Sequence, residues 1–437
     1  MIKRNKNTEN IKIQTKTLYK GIVGIVTTII LLTGALYSIS TLFTNSQVAE
    51  KDTEILELDY NSEFAKSLLN NNLLLNSSPN TYNSNKYVNG VWLTTVANLD
   101  FPKTDGSESQ KNEIINYLDV MVENNLSDIF FQVRPESDAL YKSSINPWSQ
   151  TLTGTQGKDP GYDPLEFMIQ EAKKRGLKVH AWLNPYRISK SKNSLTELCE
   201  THPARMNPSM VIEHEGTLYY NPSSEDTVNH IVSTVKELVV NYPELSSIHF
   251  DDYFYPSGYM SHIEKDSPEE DKMRDDVTNM IKEVYNTVHQ YSSTIQFGVS
   301  PRGIYKNSPS TKGIESYYAD KADIKKWIDL NIIDYVIPQI YWNIGHSIAD
   351  YAIITKWWAD TVKNSNVDLY IGHNTYTEET ILDLENQLNL NKSINDNANE
   401  QLINGSVYFR FKFINENIDE NGNAVDLQNI VKNAYTN

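Results

Sequence analysis

KVHAWLN at 178–184 and SIHFDDY at 247–253 are the two stretches that decide the fold. Each alternates in character with a period of two. In the first, Val179, Ala181 and Leu183 oppose His180, Trp182 and Asn184. In the second, Ile248 and Phe250 oppose His249 and Asp251. Successive strand residues point to opposite faces, so both stretches read as strands with one aliphatic face and one polar or aromatic face. Six more such runs are found at 90–95, 128–134, 296–301, 334–342, 368–374 and 405–411. Helix-like segments separate them, among them 110–124, 163–175, 227–241 and 275–291. Eight alternations of strand and helix predict parallel βα units closing as a (β/α)8 barrel, an α/β fold. A doubly wound open sheet is the alternative. It usually has fewer strands, and no glycine-rich phosphate loop follows the first run.

The chain has 437 residues and a formal charge of −17. Residues 1–20 carry six basic side chains against Glu9, or +5, which leaves −22 for the rest. An acidic body behind a short basic leader is a poor match to nucleic acid, and none is expected as a partner. Cys199 is the single cysteine, which excludes an internal disulfide framework and a cysteine-cluster zinc site. Residues 21–43 are 23 uncharged, mainly apolar residues, long enough to span a bilayer as a helix. Basic residues before them place the N-terminus inside. A cleaved signal peptide is the other reading, with Ser38 and Ser40 as a weak site. The length of the stretch and the lack of a clear Ala-x-Ala motif favour an uncleaved anchor. The expected organisation is a cytoplasmic leader (1–20), a transmembrane anchor or signal (21–43), a flexible linker (44–86) and a barrel (87–437). The linker is Asn- and Ser-rich, with one short helix expected at 64–75. The expected location is the cell membrane, single-pass with the barrel outside; a cleaved leader would make the chain secreted.

Aliphatic strand faces should meet the helices, and the polar and aromatic faces the barrel axis. That reading sets Val407 and Phe409 outward, against Tyr408 and Arg410. It points Trp92, Ser300, Arg302, Gln339, Tyr341 and Asn374 inward or to the mouth. His180 and His249, lower on their strands, suit a satisfied hydrogen-bond network. Sites of such barrels lie at the C-terminal strand ends. There the chain places Arg134, Asp138, Asn184, Tyr186, Arg187, Asp251, Asp252, Tyr253, Tyr255, Arg302, Gln339, Tyr341, Trp342 and Asn374. Aromatic faces stack on sugar rings, amides and carboxylates bind hydroxyls, and carboxylates do the acid and base work of glycoside cleavage. Alternation makes Asp251 the inward acid. Asp252 reaches the mouth only if the strand is already bending into its loop. A second carboxyl beside the first raises its pKa, which suits a general acid. Asp138 is the nearest further acid by topology, with Glu136 as its neighbour. Substrate assistance by an N-acetyl group is a third option. The histidines are too scattered to suggest a metal, and no cofactor is expected.

Several blocks carry a family resemblance. They include GVWLTTVANLDFP at 90–102, FQVRPESDALYKSSINPWSQ at 131–150 and KVHAWLNPYRIS at 178–189. HFDDYFYP at 249–256, FGVSPRGIY at 297–305, DYVIPQIYW at 334–342 and LYIGHNTY at 369–376 extend it. The sequence resembles the glycosyl-hydrolase-like family 10 domain from Tyr87 to the C-terminus. The resemblance implies a (β/α)8 barrel and an exported or surface-attached enzyme acting on glycans. It sets the family's Asp-Asp-Tyr-Phe-Tyr block on Asp251, Asp252, Tyr253, Phe254 and Tyr255, and its aspartate after the second strand on Asp138. Glu136 and Ser137 stand where members often carry Thr or Ala, and Arg302 replaces a residue that is often apolar.

The expectation is therefore a membrane-anchored glycoside hydrolase acting on peptidoglycan or another amino-sugar polymer. Asp251 is the principal carboxylate, with Asp252 and Asp138 as partners. Arg134, Trp182, Asn184, Tyr186, Arg187, Tyr253, Tyr255, Arg302, Gln339, Tyr341, Trp342 and Asn374 are expected to form the sugar subsites. The competing class is a non-catalytic glycan-binding or wall-organising protein, which would need no carboxylate with a perturbed pKa. The charge of −22 repels anionic polymers, so stacking and hydrogen bonds should carry substrate binding.

Overall fold

The computed structural model describes residues 87–103, 106–190 and 194–435. The leader, the 21–43 anchor or signal, the 44–86 linker and its 64–75 helix lie outside the described residues. Among the described residues no helix is long and apolar enough to cross a membrane.

Eight parallel strands close on themselves. They are β1 (Val88–Leu93), β2 (Asp128–Arg134), β3 (Lys178–Leu183), β4 (Ser247–Phe250), β5 (Gln296–Val299), β6 (Tyr335–Val336 and Gln339–Ile340), β7 (Asp368–Asn374) and β8 (Gly405–Phe409). Each pairs with its neighbours in sequence, and β8 pairs with β1 through Val88↔Gly405, which completes the (β/α)8 barrel. Pro338 divides β6, because it has no N–H for the ladder. The main helices are α1 (Ser107–Glu123), α2 (Pro164–Lys174), α3 (Glu225–Asn241), α4 (Pro268–Tyr291), α5 (Ile324–Asp329), α6 (Tyr351–Val362), α7 (Glu378–Ala398) and α8 (Leu427–Asn433).

Local chemistry sets where the helices begin. Asp163, Ser224 and Ser267 each accept a hydrogen bond from a first-turn amide, at Glu166, Thr227 and Glu270. Pro268 follows Ser267 at the first helical position, so α4 starts seven residues earlier than the apolar period alone suggests. Its buried face runs Val277, Ile281, Val284 and Val288, a helical spacing turned to the sheet.

Two cores result. The outer one lies between strands and helices and holds Ile129, Phe131, Val179, Ala181, Ile248 and Phe250. The lumen holds Trp92, Phe130, Trp182, Tyr335, Ile337, Tyr370 and Val407. Strand alternation thus reads correctly for β1, β3 and β4 and for β2 as far as its bulge after Gln132, and in opposite phase for β8. Val407 lies in the lumen with Phe409 packed against it, while Tyr408 joins the outer core. Tyr is amphipathic, so its presence does not tell which face is wet.

Below the mouth, His180 contacts Ser247 Oγ (2.6 Å) and Asp128 Oδ1 (2.9 Å). His249 contacts Tyr335 Oη (3.1 Å) and Ser300 Oγ (3.0 Å), and burial holds its pKa well below the ordinary value. Both histidines are partners in a closed polar floor.

Between β3 and β4 the chain makes an antiparallel three-stranded excursion from Arg187–Ser189, Val211–His214 and Thr217–Tyr220. Its tight turn has φ of 50° at Glu215 and 73° at Gly216, values that glycine adopts freely. This small sheet fixes Arg187 at the mouth.

Candidate active site

The strand β4 ends at Phe250, so Asp251 and Asp252 lie in the turn that follows. Period-two alternation has no force there, and the two carboxyl groups lie close enough for the charge of one to act on the other. Trp182 Nε1 donates to Asp251 Oδ2 at 3.0 Å, Asn184 Nδ2 to both oxygens at 3.2 and 3.1 Å, and the Tyr253 amide to Oδ1 at 3.3 Å. Burial, and then the charge of Asp252, push the Asp251 carboxyl up to about 7, against the opposing charge of Arg187. Asp252 accepts from Gln339 Nε2 at 3.1 Å and sits 3.5 Å from Arg302 Nη1.

The surrounding side chains are themselves held. Asn184 Oδ1 accepts the Arg187 amide at 3.0 Å, and Arg187 Nε donates to the Pro135 carbonyl at 3.0 Å. The guanidinium lies over the Tyr253 ring, 4.9 Å from its centroid, while that ring is 46% exposed. The charge of Asp252, with burial, pushes the Tyr253 phenol up to about 12. Tyr341 stacks on Phe409 with centroids 5.8 Å apart. The opening thus joins Asp251, Asp252, Trp182, Asn184, Arg187, Tyr253, Arg302, Gln339 and Tyr341. The donors and carboxylates can grip hydroxyls, and the aromatic faces can stack on a sugar ring.

Asp320 is the acid that sequence reasoning missed. It follows the short helix Ser316–Ala319 and is almost fully buried. It receives Arg302 Nε at 2.6 Å and Nη2 at 3.0 Å. Its own carbonyl accepts the Tyr255 amide at 3.1 Å, which ties it to the Asp251–Asp252 turn. Burial pushes Asp320 up to about 7 despite Arg302. No local sequence pattern marks it; it lies 18 residues beyond Arg302, in a loop. Phe409 was missed because β8 was read in the wrong phase.

Six expected residues lie elsewhere. A β-bulge between Gln132 and Arg134 turns Arg134 out of the lumen. It donates to the Asn184 carbonyl (2.7 Å) and Ser137 Oγ (3.0 Å) and meets His230 Nε2 (3.2 Å), a side chain of α3. Burial and then the Arg134 charge lower His230 to about 3, so it stays neutral. Tyr186 is fully enclosed in the outer core, with no partner for its hydroxyl. Tyr255 is also buried there and bonds Ser223. Trp342 packs across Gly303, on the face opposite Tyr341. Asn374 Oδ1 accepts the amides of Tyr376 and Thr377 and shapes the entry to α7. Asp138 is buried, bonds Gln156 Nε2 at 3.3 Å, and is pushed up to about 6 by burial and by Glu136. That contact lies in the loop after β2, and among the described residues its Oδ1 is buried without a hydrogen-bond partner.

Arg134→Ala should therefore act on stability. It strips a buried cation from several acceptors, a loss of roughly 3 kcal/mol. Urea unfolding measures it, and a loss well under 1 kcal/mol would show that these bonds are dispensable.

Adjacent carboxyl groups at the C-terminal strand ends of a (β/α)8 barrel, walled by aromatics, define a glycoside hydrolase class of protein. Residues 87–388 match the model of the glycosyl hydrolase-like 10 family, and the chain belongs to that family. It is 36% identical to glycosyl hydrolase YngK of Bacillus subtilis, over 76% of this chain and 70% of that protein. It is 32% identical to glycosyl hydrolase DigH of Escherichia coli K12, over 77% and 85%. Among solved structures, the endo-1,4-β-mannanase of Rhizomucor miehei superposes with a TM-score of 0.52 at 10% identity, covering 80% of this chain and 94% of that one. At that identity the likeness is one of fold. The chain is thus a glycoside hydrolase.

Proposed function

We propose that the protein cleaves an amino-sugar polymer of the cell wall or extracellular matrix, with Asp251 as acid and Asp252 as its partner. The reading rests on one observation: the two carboxyl groups share a turn and act on each other's charge, while Asp320 and Asp138 have partners of their own. Asp320 grips Arg302, and Asp138 bonds Gln156. A substrate N-acetyl group supplies the missing nucleophile. Asp251 protonates the glycosidic oxygen, the C1–O bond breaks, and the acetamido oxygen bonds to C1. Asp252 orients the acetamido N–H and balances the positive charge. Water, deprotonated by Asp251, then opens the cyclic intermediate and restores both groups.

The test uses the purified full-length chain. Substrates are peptidoglycan, wall strands stripped of peptides, poly-N-acetylglucosamine and its de-N-acetylated form. New reducing ends are expected from N-acetylated polymers, with at least a hundred-fold slower release from the de-N-acetylated one. Equal rates on both would sink substrate assistance.

The charge-free stretch at 21–43 supports a membrane-anchored enzyme with the barrel outside. Extraction from membranes by detergent, but not by alkaline carbonate, is the expected outcome. Release of the chain without its leader would establish the secreted form.

A further inference from the structure

At the ends of β1 and β2 lies a cleft of about 400 Å³. Asn98, Lys103, Pro135, Glu136, Thr151 and Lys190 line it. Pro135 is the shared wall, because its carbonyl holds Arg187, whose charge acts on Asp251. A chain lying across the mouth would enter this cleft next. Its loop is set by Gln132, whose Oε1 accepts the amides of Thr95 and Val96 at 2.9 and 2.8 Å. The Glu136 carboxylate is turned to the Lys190 backbone amide at 2.7 Å. Both lysine side chains are exposed, and among the described residues neither ammonium has an ion-pair partner.

We propose that this cleft is a subsite for a sugar residue bearing a carboxylate. The proposal rests on the amino-sugar polymer reading above and adds the charge of one unit to it. The body's overall acidity does not oppose it. Screening reduces charges beyond ~8 Å at physiological salt, whereas the cleft is lined by two lysines against one acid, Glu136, which the Lys190 amide already holds. The local sign therefore decides. The cleft converts a surface that repels acidic chains at large into one that accepts a carboxylate at one position.

Equilibrium binding to the full-length Asp251→Asn chain tests this without turnover. One pair of probes is peptide-free wall strands and the same strands with carboxyl groups reduced to alcohols. The other is a uronic acid–N-acetylglucosamine polymer and its reduced form. An acidic probe should bind about ten-fold tighter than its reduced form, as expected of two exposed charge contacts. Whichever pair shows the preference identifies the source of the carboxylate. The preference should fall to near one in Lys103→Ala/Lys190→Ala, persist in Lys103→Arg/Lys190→Arg, and fade with added salt. Equal binding within both pairs, or a preference that survives the alanine changes, overturns the proposal. A preference seen in a wild-type chain that cleaves none of these polymers would refute the hydrolytic reading and leave the subsite standing.

Discussion

Asp251→Asn should lower kcat by about 10³-fold or more while the chain stays folded. The loss follows from the geometry. Asp251 is the acid that the lumen itself supports, through Trp182 Nε1, Asn184 Nδ2 and the Tyr253 amide. Its carboxyl is raised to about 7, chiefly by burial and by Asp252, so at mildly acidic pH it holds a proton to give. Activity should decline as pH rises through about 7, where the acid is lost. Two variants should move this alkaline limb in opposite directions. Asp252→Asn removes the neighbouring negative charge, so Asp251 ionises more easily and the limb shifts to lower pH. Trp182→Phe removes a donor that favours the ionised form, so the limb shifts to higher pH, by roughly one unit. The pH dependence of kcat reports both shifts. A limb that stays in place in both variants, or an Asp251→Asn chain with a tenth of normal activity, would remove Asp251 from the acid role.

The inward set of β3 and β4 was legible because both strands are regular to their ends. Trp182 and His249 follow directly from a period of two, and Asn184 and Asp251 stand one residue past those strands. Legibility failed where the backbone departed from that period. The bulge in β2 reverses Arg134 without altering the pattern of residue types, so a sequence of side chains carries no trace of it. Tyr186 and Tyr255 lie past the strand ends, where alternation does not apply, and each was drawn into the outer core by its apolar ring. Trp342 is a different error. Alternation with Gln339 and Tyr341 places it outward, and the attraction of an exposed aromatic at a strand end overrode that. Asp320 depends on a contact made across a long loop, which spacing along the chain cannot show. The family motifs did bring the acid pair into view, but they marked Asp138 with equal weight. All of them are buried, and the structure separates them by hydrogen-bond partners: Asp251 meets Trp182 and Asn184, Asp138 meets Gln156.

Asp320→Asn should cut kcat by roughly 10 to 100-fold without a matching rise in KM, because Asp320 acts through Arg302 and not on the sugar. In the native chain the guanidinium is shared. Two short bonds tie it to Asp320, and its Nη1 stays 3.5 Å from Asp252. An amide at 320 replaces one accepting oxygen with an NH2 group, so one of the two guanidinium bonds is lost at every pH and the guanidinium is drawn to Asp252. The neutralised Asp252 then raises Asp251 less, and the alkaline limb of the rate profile moves to lower pH. A role limited to packing would lower the yield of folded protein and leave that limb in place. Stability supplies an independent sign. The folded pKa of Asp320, about 7, lies above its unfolded value of roughly 3.9. The folded chain therefore binds more protons between about pH 4 and 7, and this part of its stability is present at low pH and lost as pH rises through 7. The Asn variant lacks that loss. Its Tm deficit against the native chain should shrink from pH 5 to pH 8. A deficit that grows over this range would mean that Asp320 is ionised throughout, with Arg302 outweighing burial.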